Sequence, residues 1–395
     1  MAKPTPPLAG IRVLDLGRYQ AGPRAALMFA RLGAEVIKVE APGGDTSREN
    51  GPRVRGQSIY WAQYNSGKKS ITLDLRNDQA KQVLRDLVKV SDVLIQNFRP
   101  GVMDEMGFGY EALRSINKRI VMINVSAYGQ DGVYRDRVGF DPIGQAMSGL
   151  MSVTGYPGTP PTKSYATVID RVTALHATIG ALAALRERDR SGEGQAIDVS
   201  LADTGFTLME IPLAAYLDGG IEAKREGNRG GLSPSNAYQC SDGWAYIMGS
   251  FSPMWVRVCK VIGREDWLTD PRFKTRQARA ERDAEIDATV GAWCKTRTVR
   301  EVVDAFSAES IPAAAVNDIP GAAKEPNLLQ REVLVEVPDA VAGKIHVAGR
   351  MVHFSRTPMV VGSTPTIGQH TDEVLRDVLQ YTPARIAELR RAKAL

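Results

Sequence analysis

Cysteine and histidine are scarce: Cys240, Cys259 and Cys294 and four histidines are all that the 395 residues contain. An odd number of thiols with no C-x-x-C pair excludes a disulfide framework and offers no zinc site. His176, His346, His353 and His370 lie apart, without H-x-x-x-H or H-E-x-x-H spacing, so no metal centre is read from them. No run of five Lys or Arg occurs, and 50 basic against 45 acidic residues spread a net +5 along the whole chain. A nucleic-acid partner is therefore not expected, whereas a small anionic ligand suits the same charge. The apolar stretches read as shorter than the roughly 20 residues of a membrane helix, and the opening MAKPTPP has no apolar core like a signal peptide. No membrane association is expected, and the chain is assigned to the cytoplasm.

Two nucleotide signatures are also lacking. Asn65-Ser66-Gly67-Lys68-Lys69-Ser70 places a Gly-Lys near a Ser, but a phosphate loop needs a further Gly where Ala62 stands. The turn after the first strand, Gly17-Arg18-Tyr19-Gln20-Ala21-Gly22-Pro23, lacks G-x-G-x-x-G. With no G-x-S-x-G elbow either, NTPase, dehydrogenase and elbow-type serine hydrolase chemistry are unsupported.

What is present is an α/β alternation. Residues 11–17 (IRVLDLG) and 34–40 (AEVIKVE) read as buried strands around a helix over 22–32, with Gly22-Pro23 at its start and Gly33 at its end. The pattern recurs as strands over 69–75 and 91–96 around a helix over 78–90. There Val83, Leu84, Leu87 and Val88 share one face behind an Asn77 cap. A further strand covers 119–125, a helix 141–154, a long apolar helix about 170–189, a strand 194–201 and a helix 202–216. This predicts a mostly parallel sheet covered on both faces, with ligands beyond the carboxyl ends of its strands.

Length and the 43% apolar content favour two domains. Residues 1–217 form the first part of a large domain. A linker and smaller α+β domain follow over 218–325, with a hairpin around Ser241-Asp242-Gly243 and helices near 252–263, 275–296 and 298–309. Residues 326–395 return to the large domain.

Two segments invite chemistry on residue type alone. Asp170, at the mouth of the long helix, is either an ordinary cap or a carboxylate kept ionised by the helix-end dipole. Asn97-Phe98-Arg99-Pro100-Gly101, past a strand, is either a plain turn or a loop offering an amide, a ring and a cation. His176 reads as a satisfied core residue.

The segments PLAGIRVLDLGRYQAGP, RLGAEVIKVEAPGGDTSR, NSGKKSITLDL, DVLIQNFRPGVMDEMGFGYEAL, SAYGQDGVYRDRVGFD and GALAALRERDRSGEGQAIDVSLAD, in this order, resemble the class III CoA-transferases, which include the formyl-CoA and carnitine CoA-transferases. The likeness is close over the first 205 residues and looser beyond, through GWAYI and PTIGQHTDEVL. It implies a Rossmann-like large domain built from both chain ends, a small domain between, and an interlocked homodimer. It also implies Asp170 as the nucleophile, passing through a mixed anhydride and an aspartyl-CoA thioester. CoA, a substrate and not a resident cofactor, is expected against Gln20, Leu73, Arg76, Asn97, Phe98, Arg99, Met106 and Arg137.

There are departures from the family pattern. A family arginine near the adenine pocket falls on Ala41, which shifts phosphate recognition to Arg48 or Arg18. The family's glycine-rich lid has a shortened counterpart in Gly227–Gly231. The related α-methylacyl-CoA racemases need a His where Phe140 stands and carry a G-D-F-G-G-G that Val168-Ile169-Asp170-Arg171-Val172 replaces. A non-catalytic partner subunit is a further alternative. For the acid, Tyr128, Arg171, Arg137 and Gln145 are the polar candidates for a dicarboxylate such as succinate, malate or mesaconate.

Overall fold

A computed structural model describes residues 5–395. They form two compact units, one of 5–151, 163–222 and 329–395, the other of 152–162 and 223–328. The first unit is built on a six-stranded sheet. In chain order its elements are β1 (Arg12–Asp15), α1 (Ala21–Arg31), β2 (Glu35–Glu40), β3 (Lys69–Thr72), α2 (Asp78–Lys89), β4 (Val93–Gln96) and β5 (Val121–Ser126). There follow α3 (Asp141–Met147), α4 (Val168–Ser191), β6 (Ala196–Ser200), α5 (Leu201–Leu208) and α6 (Glu210–Gly219).

The strands lie in the order β3-β2-β1-β4-β5-β6, all parallel. That order reverses between β1 and β4, which is where doubly wound sheets open a crevice at the carboxyl ends of their strands. The two faces are read directly from the period of two. Leu14, Ile37, Leu94 and Met122 enter one core with α2, while Val13, Val36, Val93 and Val121 enter another with α1 and α4. The α2 cap is the one anticipated, with Asn77 Oδ1 accepting from the Gln79 N–H at 2.8 Å.

Several boundaries differ from the sequence reading, for local reasons. The helix expected over 141–154 stops at Met147 and resumes as Leu150–Val153, because Gly149 lies at φ 89°. The helix expected over 202–216 is two, since Pro212 has no N–H to donate and falls in the first turn of α6, where none is needed. The long helix begins at Val168, two residues earlier than expected. Its first 18 residues, in which Asp170 and Arg171 are the only charges, are long and apolar enough by composition to cross a bilayer, contrary to the length reading above. In the fold, Ile169, Thr173, Ala177, Ala181 and Ala184 form its buried face, four of them packed in the core shared with α1.

The second unit carries an antiparallel sheet of β7 (Ser235–Gln239), β8 (Trp244–Met248) and β9 (Ala313–Ala315). Its core stacks Trp255 on Trp267 at 5.6 Å and Trp267 on Phe273 at 4.6 Å. The helix expected over 275–296 is interrupted at Arg282. The glycine segment 227–231 is pinned within this unit. Arg229 pairs with Asp283 and Asp287, and the Asn228 amide donates to the Tyr156 hydroxyl at 2.7 Å.

The first unit is completed by the hairpin of β10 (Leu334–Asp339) and β11 (Gly343–Ala348) and by α7 (Pro383–Arg391). Val374, Leu375, Ile386, Leu389 and Ala394 all enter the core of α2, and Asp74 N–H donates to the Ala394 carbonyl at 3.0 Å.

Beneath the crevice lies a buried charge cluster. Lys68 Nζ reaches Asp15 Oδ2 at 2.7 Å, the Pro23 carbonyl at 2.8 Å and Asn65 Oδ1 at 2.9 Å. Lys38 Nζ donates to the Gly17 carbonyl and pairs with Asp45 at 3.0 Å. The Gly-Lys that resembles a phosphate loop is thus a structural clamp, and burial pushes the Lys68 ammonium down to about 8 against the pull of Asp15. Removing one partner of such a pair strands the other charge. Lys68→Met is expected to lower the unfolding free energy by about 3–5 kcal/mol in urea titrations; a loss under about 1 kcal/mol would contradict the clamp.

Candidate active site

The carboxyl ends of β1, β4 and β5 feed three loops into one cavity of about 490 Å³. After β1 the chain turns sharply. Gly17 N–H donates to Asp15 Oδ1 at 2.9 Å, and a Cβ on Gly17 would come within 3.0 Å of both Asp15 Oδ1 and Pro23 Cδ. Tyr19 then takes φ 61°, a left-handed conformation costly for a bulky side chain. The loop after β4 locks onto it: Arg18 N–H donates to Asn97 Oδ1 at 2.6 Å, and Asn97 Nδ2 donates back to the Arg18 carbonyl at 2.8 Å. Beside this pair Gln96 ties β4 to β5 through Asn124 at 2.7 Å and accepts the Phe98 N–H at 2.6 Å.

Three arginines, Arg18, Arg99 and Arg137, line the cavity, and Asp170 is the only carboxylate that does. Arg18 lies over the Phe98 ring at 5.1 Å and Arg137 over Tyr134 at 4.0 Å, so flat apolar surface and cation alternate. Such a wall suits a ligand with both rings and phosphates.

Asp170 does not cap its helix. The N-cap of α4 is Thr167, and its hydroxyl makes no capping bond but accepts from the Gln20 amide. The Asp170 N–H instead donates to Asp141 Oδ2 at 3.1 Å. Asp141 is in turn held by Gln145 Nε2 at 2.5 Å, and Gln145 Oε1 accepts the Ser164 N–H at 2.9 Å. This buried relay fixes the first turn of α4. Contrary to the helix-dipole expectation, the Asp170 carboxyl is raised to about 7, first by burial and then by the Asp141 charge, with Arg171 opposing.

Of the anticipated ligand contacts, Gln20, Asn97, Phe98, Arg99 and Arg137 share the cavity with Asp170. Leu73, Arg76 and Met106 do not line it. Leu73 is buried in the core of α2, Met106 packs on the rim of that core together with Phe98 and Leu75, and Arg76 is exposed in a pair with Asp74 at 2.8 Å. Arg48 is committed, bonded at both ends to Glu40 and stacked on Trp61 at 3.6 Å, so Arg18 is the cation left facing the cavity. Gln145 is likewise spent on Asp141 and Ser164 and offers nothing to an acid. Tyr128 packs edge-on against Tyr134, 5.9 Å between centroids.

Phe140, where a racemase needs its histidine, lines the cavity and meets Tyr19 edge-on at 5.6 Å. His176 approaches Thr204 Oγ1 at 3.4 Å, and no histidine is among the lining residues. Among the described residues no three His, Cys, Asp or Glu gather to hold a metal. The Asp141 relay and the Tyr19–Phe140 contact escaped the sequence reading. Only the start of α3 at Asp141-Pro142 was visible, and it says nothing of a partner 29 residues on.

The raised Asp170 carboxyl carries a linkage consequence. Unfolded, the group ionises near 3.8; folded, near 7. Between those values the folded state holds a proton the unfolded state lacks, so stability falls as pH rises through this window and is lowest above 7. Asp170→Asn is expected to gain about 4 kcal/mol over the native chain at pH 8 and little at pH 4, read from denaturant unfolding at both; equal gains at both would contradict the shift.

Residues 8–371 match the family model described as CoA-transferase family III. The chain is 37% identical, over 100% of its length and 99% of the relative's, to a succinyl-CoA–D-citramalate CoA-transferase of Chloroflexus aurantiacus. It is 35% identical to a formyl-CoA:oxalate CoA-transferase of Rhodopseudomonas palustris, over 98% of this chain and 96% of that one. A CAIB/BAIF family protein from Brucella suis superposes with a TM-score of 0.85 at 30% identity, over 95% of this chain and all of that one. With an arginine-lined crevice at the strand ends and family similarity over nearly its whole length, the chain belongs to CoA-transferase family III and is a CoA-transferase.

Proposed function

We propose that the chain moves CoA between an acyl-CoA and a free carboxylic acid with Asp170 as the covalent carrier, and that the acids are dicarboxylates of the size of succinate, malate or mesaconate. The observation that carries this reading is the Asp170 carboxylate, the only one among the described residues lining a cavity that also presents three arginines and the rings of Tyr19, Phe98 and Phe140.

The Asp170 carboxylate attacks the donor thioester carbonyl, the C–S bond breaks, and CoA leaves as thiolate from a mixed anhydride. The thiolate attacks the aspartyl carbonyl, the anhydride C–O bond breaks, and the donor acid departs, leaving an aspartyl-CoA thioester. The acceptor carboxylate then attacks that thioester, and the thiolate it frees takes the acceptor acyl group from the second anhydride. Asp170 is regenerated with no net proton change. Burial serves this cycle twice: it raises the reactivity of the carboxylate, and it keeps water from the anhydride. Tyr19 and Phe140 form part of that cover.

Arg18, Arg99 and Arg137 are assigned to the phosphates and Phe98 to the adenine, all four lining the cavity. The dicarboxylate assignment draws support from the names of the two relatives, since succinate, citramalate and oxalate each carry two carboxyl groups. Asp170 and its relay are complete in this chain, which supports an active subunit over a degenerate one.

Incubation with succinyl-CoA and borohydride reduces an aspartyl thioester to an alcohol. A mass loss on the Asp170 peptide, absent in Asp170→Ala, is expected; exchange of the donor α-proton with an unmodified peptide would favour racemisation instead. We further propose a homodimer, because Leu175 and Ile179 of α4 and Ile211 and Leu217 of α6 are exposed. Sedimentation equilibrium should give twice the chain mass, and a monomer would refute the assignment.

A further inference from the structure

A second polar group flanks Asp170 away from the cavity just described. Arg24, on α1, has its Nε buried with no hydrogen-bond partner, and its Nη2 meets only the Met351 sulfur at 4.0 Å. Arg171, exposed beside Asp170 on α4, has no carboxylate at salt-bridge distance among the described residues. The two guanidiniums are near enough that Arg171 helps depress the ionisation of Arg24, after burial. A half-buried cation repelled by a neighbouring cation is the reverse of what folding alone selects.

The surroundings are those of a small polar subsite. Tyr60 and Tyr64 stand edge to face at 4.9 Å, and both feel the Asp170 charge. Thr167, which receives the Gln20 amide three positions before Asp170, lies close to Tyr64. Gln20 lines the cavity, but Arg24, Tyr64 and Arg171 do not. Arg24 and Arg171 each lie one helical turn on from the bonded Gln20–Thr167 pair, their N–H groups donating to the Gln20 and Thr167 carbonyls at 2.8 and 3.2 Å.

We propose that Arg24 and Arg171 bind the distal carboxylate of the substrate acid while its proximal carboxyl group reacts at Asp170. This rests on the transferase reading above and assigns the residues that choose dicarboxylates. A second carboxylate accepts from both guanidiniums and cancels one of their two charges; a monocarboxylate of equal length leaves them as they are. Charge-assisted bonds of this kind discriminate by about 10- to 100-fold.

The test compares exchange of labelled succinate into succinyl-CoA with exchange of labelled butyrate into butyryl-CoA, using the full chain. In Arg24→Met the ratio of the two kcat/KM values is expected to fall at least tenfold toward butyrate, through a higher KM for succinate. Arg171→Met, at an exposed position, should move the ratio the same way should Arg24→Met fold poorly. An unchanged ratio in Arg171→Met, or equal losses on both acids in either variant, overturns the assignment. Absence of any borohydride-trapped Asp170 thioester in the native chain would instead overturn the covalent reading, and this proposal with it.

Discussion

Asp15 is the residue on which the site's geometry depends. Its two oxygens do different things: Oδ2 anchors the Lys68 ammonium, and Oδ1 receives the Gly17 N–H that starts the turn after β1. Lys38 closes the same turn from beneath through the Gly17 carbonyl. Four charged side chains, Asp15, Lys38, Lys68 and Asp45, are thus nearly removed from water to hold three peptide groups. Buried ion pairs rarely add net stability over apolar packing, so their presence here is better understood as positional. They aim Arg18, Tyr19 and Gln20 outward, and Asn97 copies that aim onto the neighbouring loop.

A second constraint operates at the start of α4. Asp141 accepts the Asp170 N–H and, by its own charge, makes the Asp170 carboxylate harder to form. One residue therefore both places Asp170 and tunes it.

The sheet was legible because its strands are buried on both faces and read as continuous apolar runs, Val13-Leu14 and Val36-Ile37 among them. The strand order was not, since nothing in β1 specifies β4 as its neighbour. At the site, Gln20, Asn97, Phe98, Arg99, Arg137 and Asp170 could be named from motifs. Asp141, Arg24 and Tyr64 could not, because each acts through a residue distant in sequence and looks locally like an ordinary helix residue. The error about Asp170 has the same origin. A helix-end dipole is visible in a pattern, whereas the desolvation that outweighs it exists only once the chain has folded.

The core around α2 takes Val374, Leu375, Ile386, Leu389 and Ala394 from the last residues of the chain. On a ribosome those residues emerge after every strand of the sheet whose core they complete. The β1–β6 sheet therefore waits, one face uncovered, while the second unit, complete by residue 328, is already free to fold. For this enzyme the order of synthesis opposes the order of the sheet, and the nascent chain must keep a large apolar surface from aggregating until residues 374–394 have emerged.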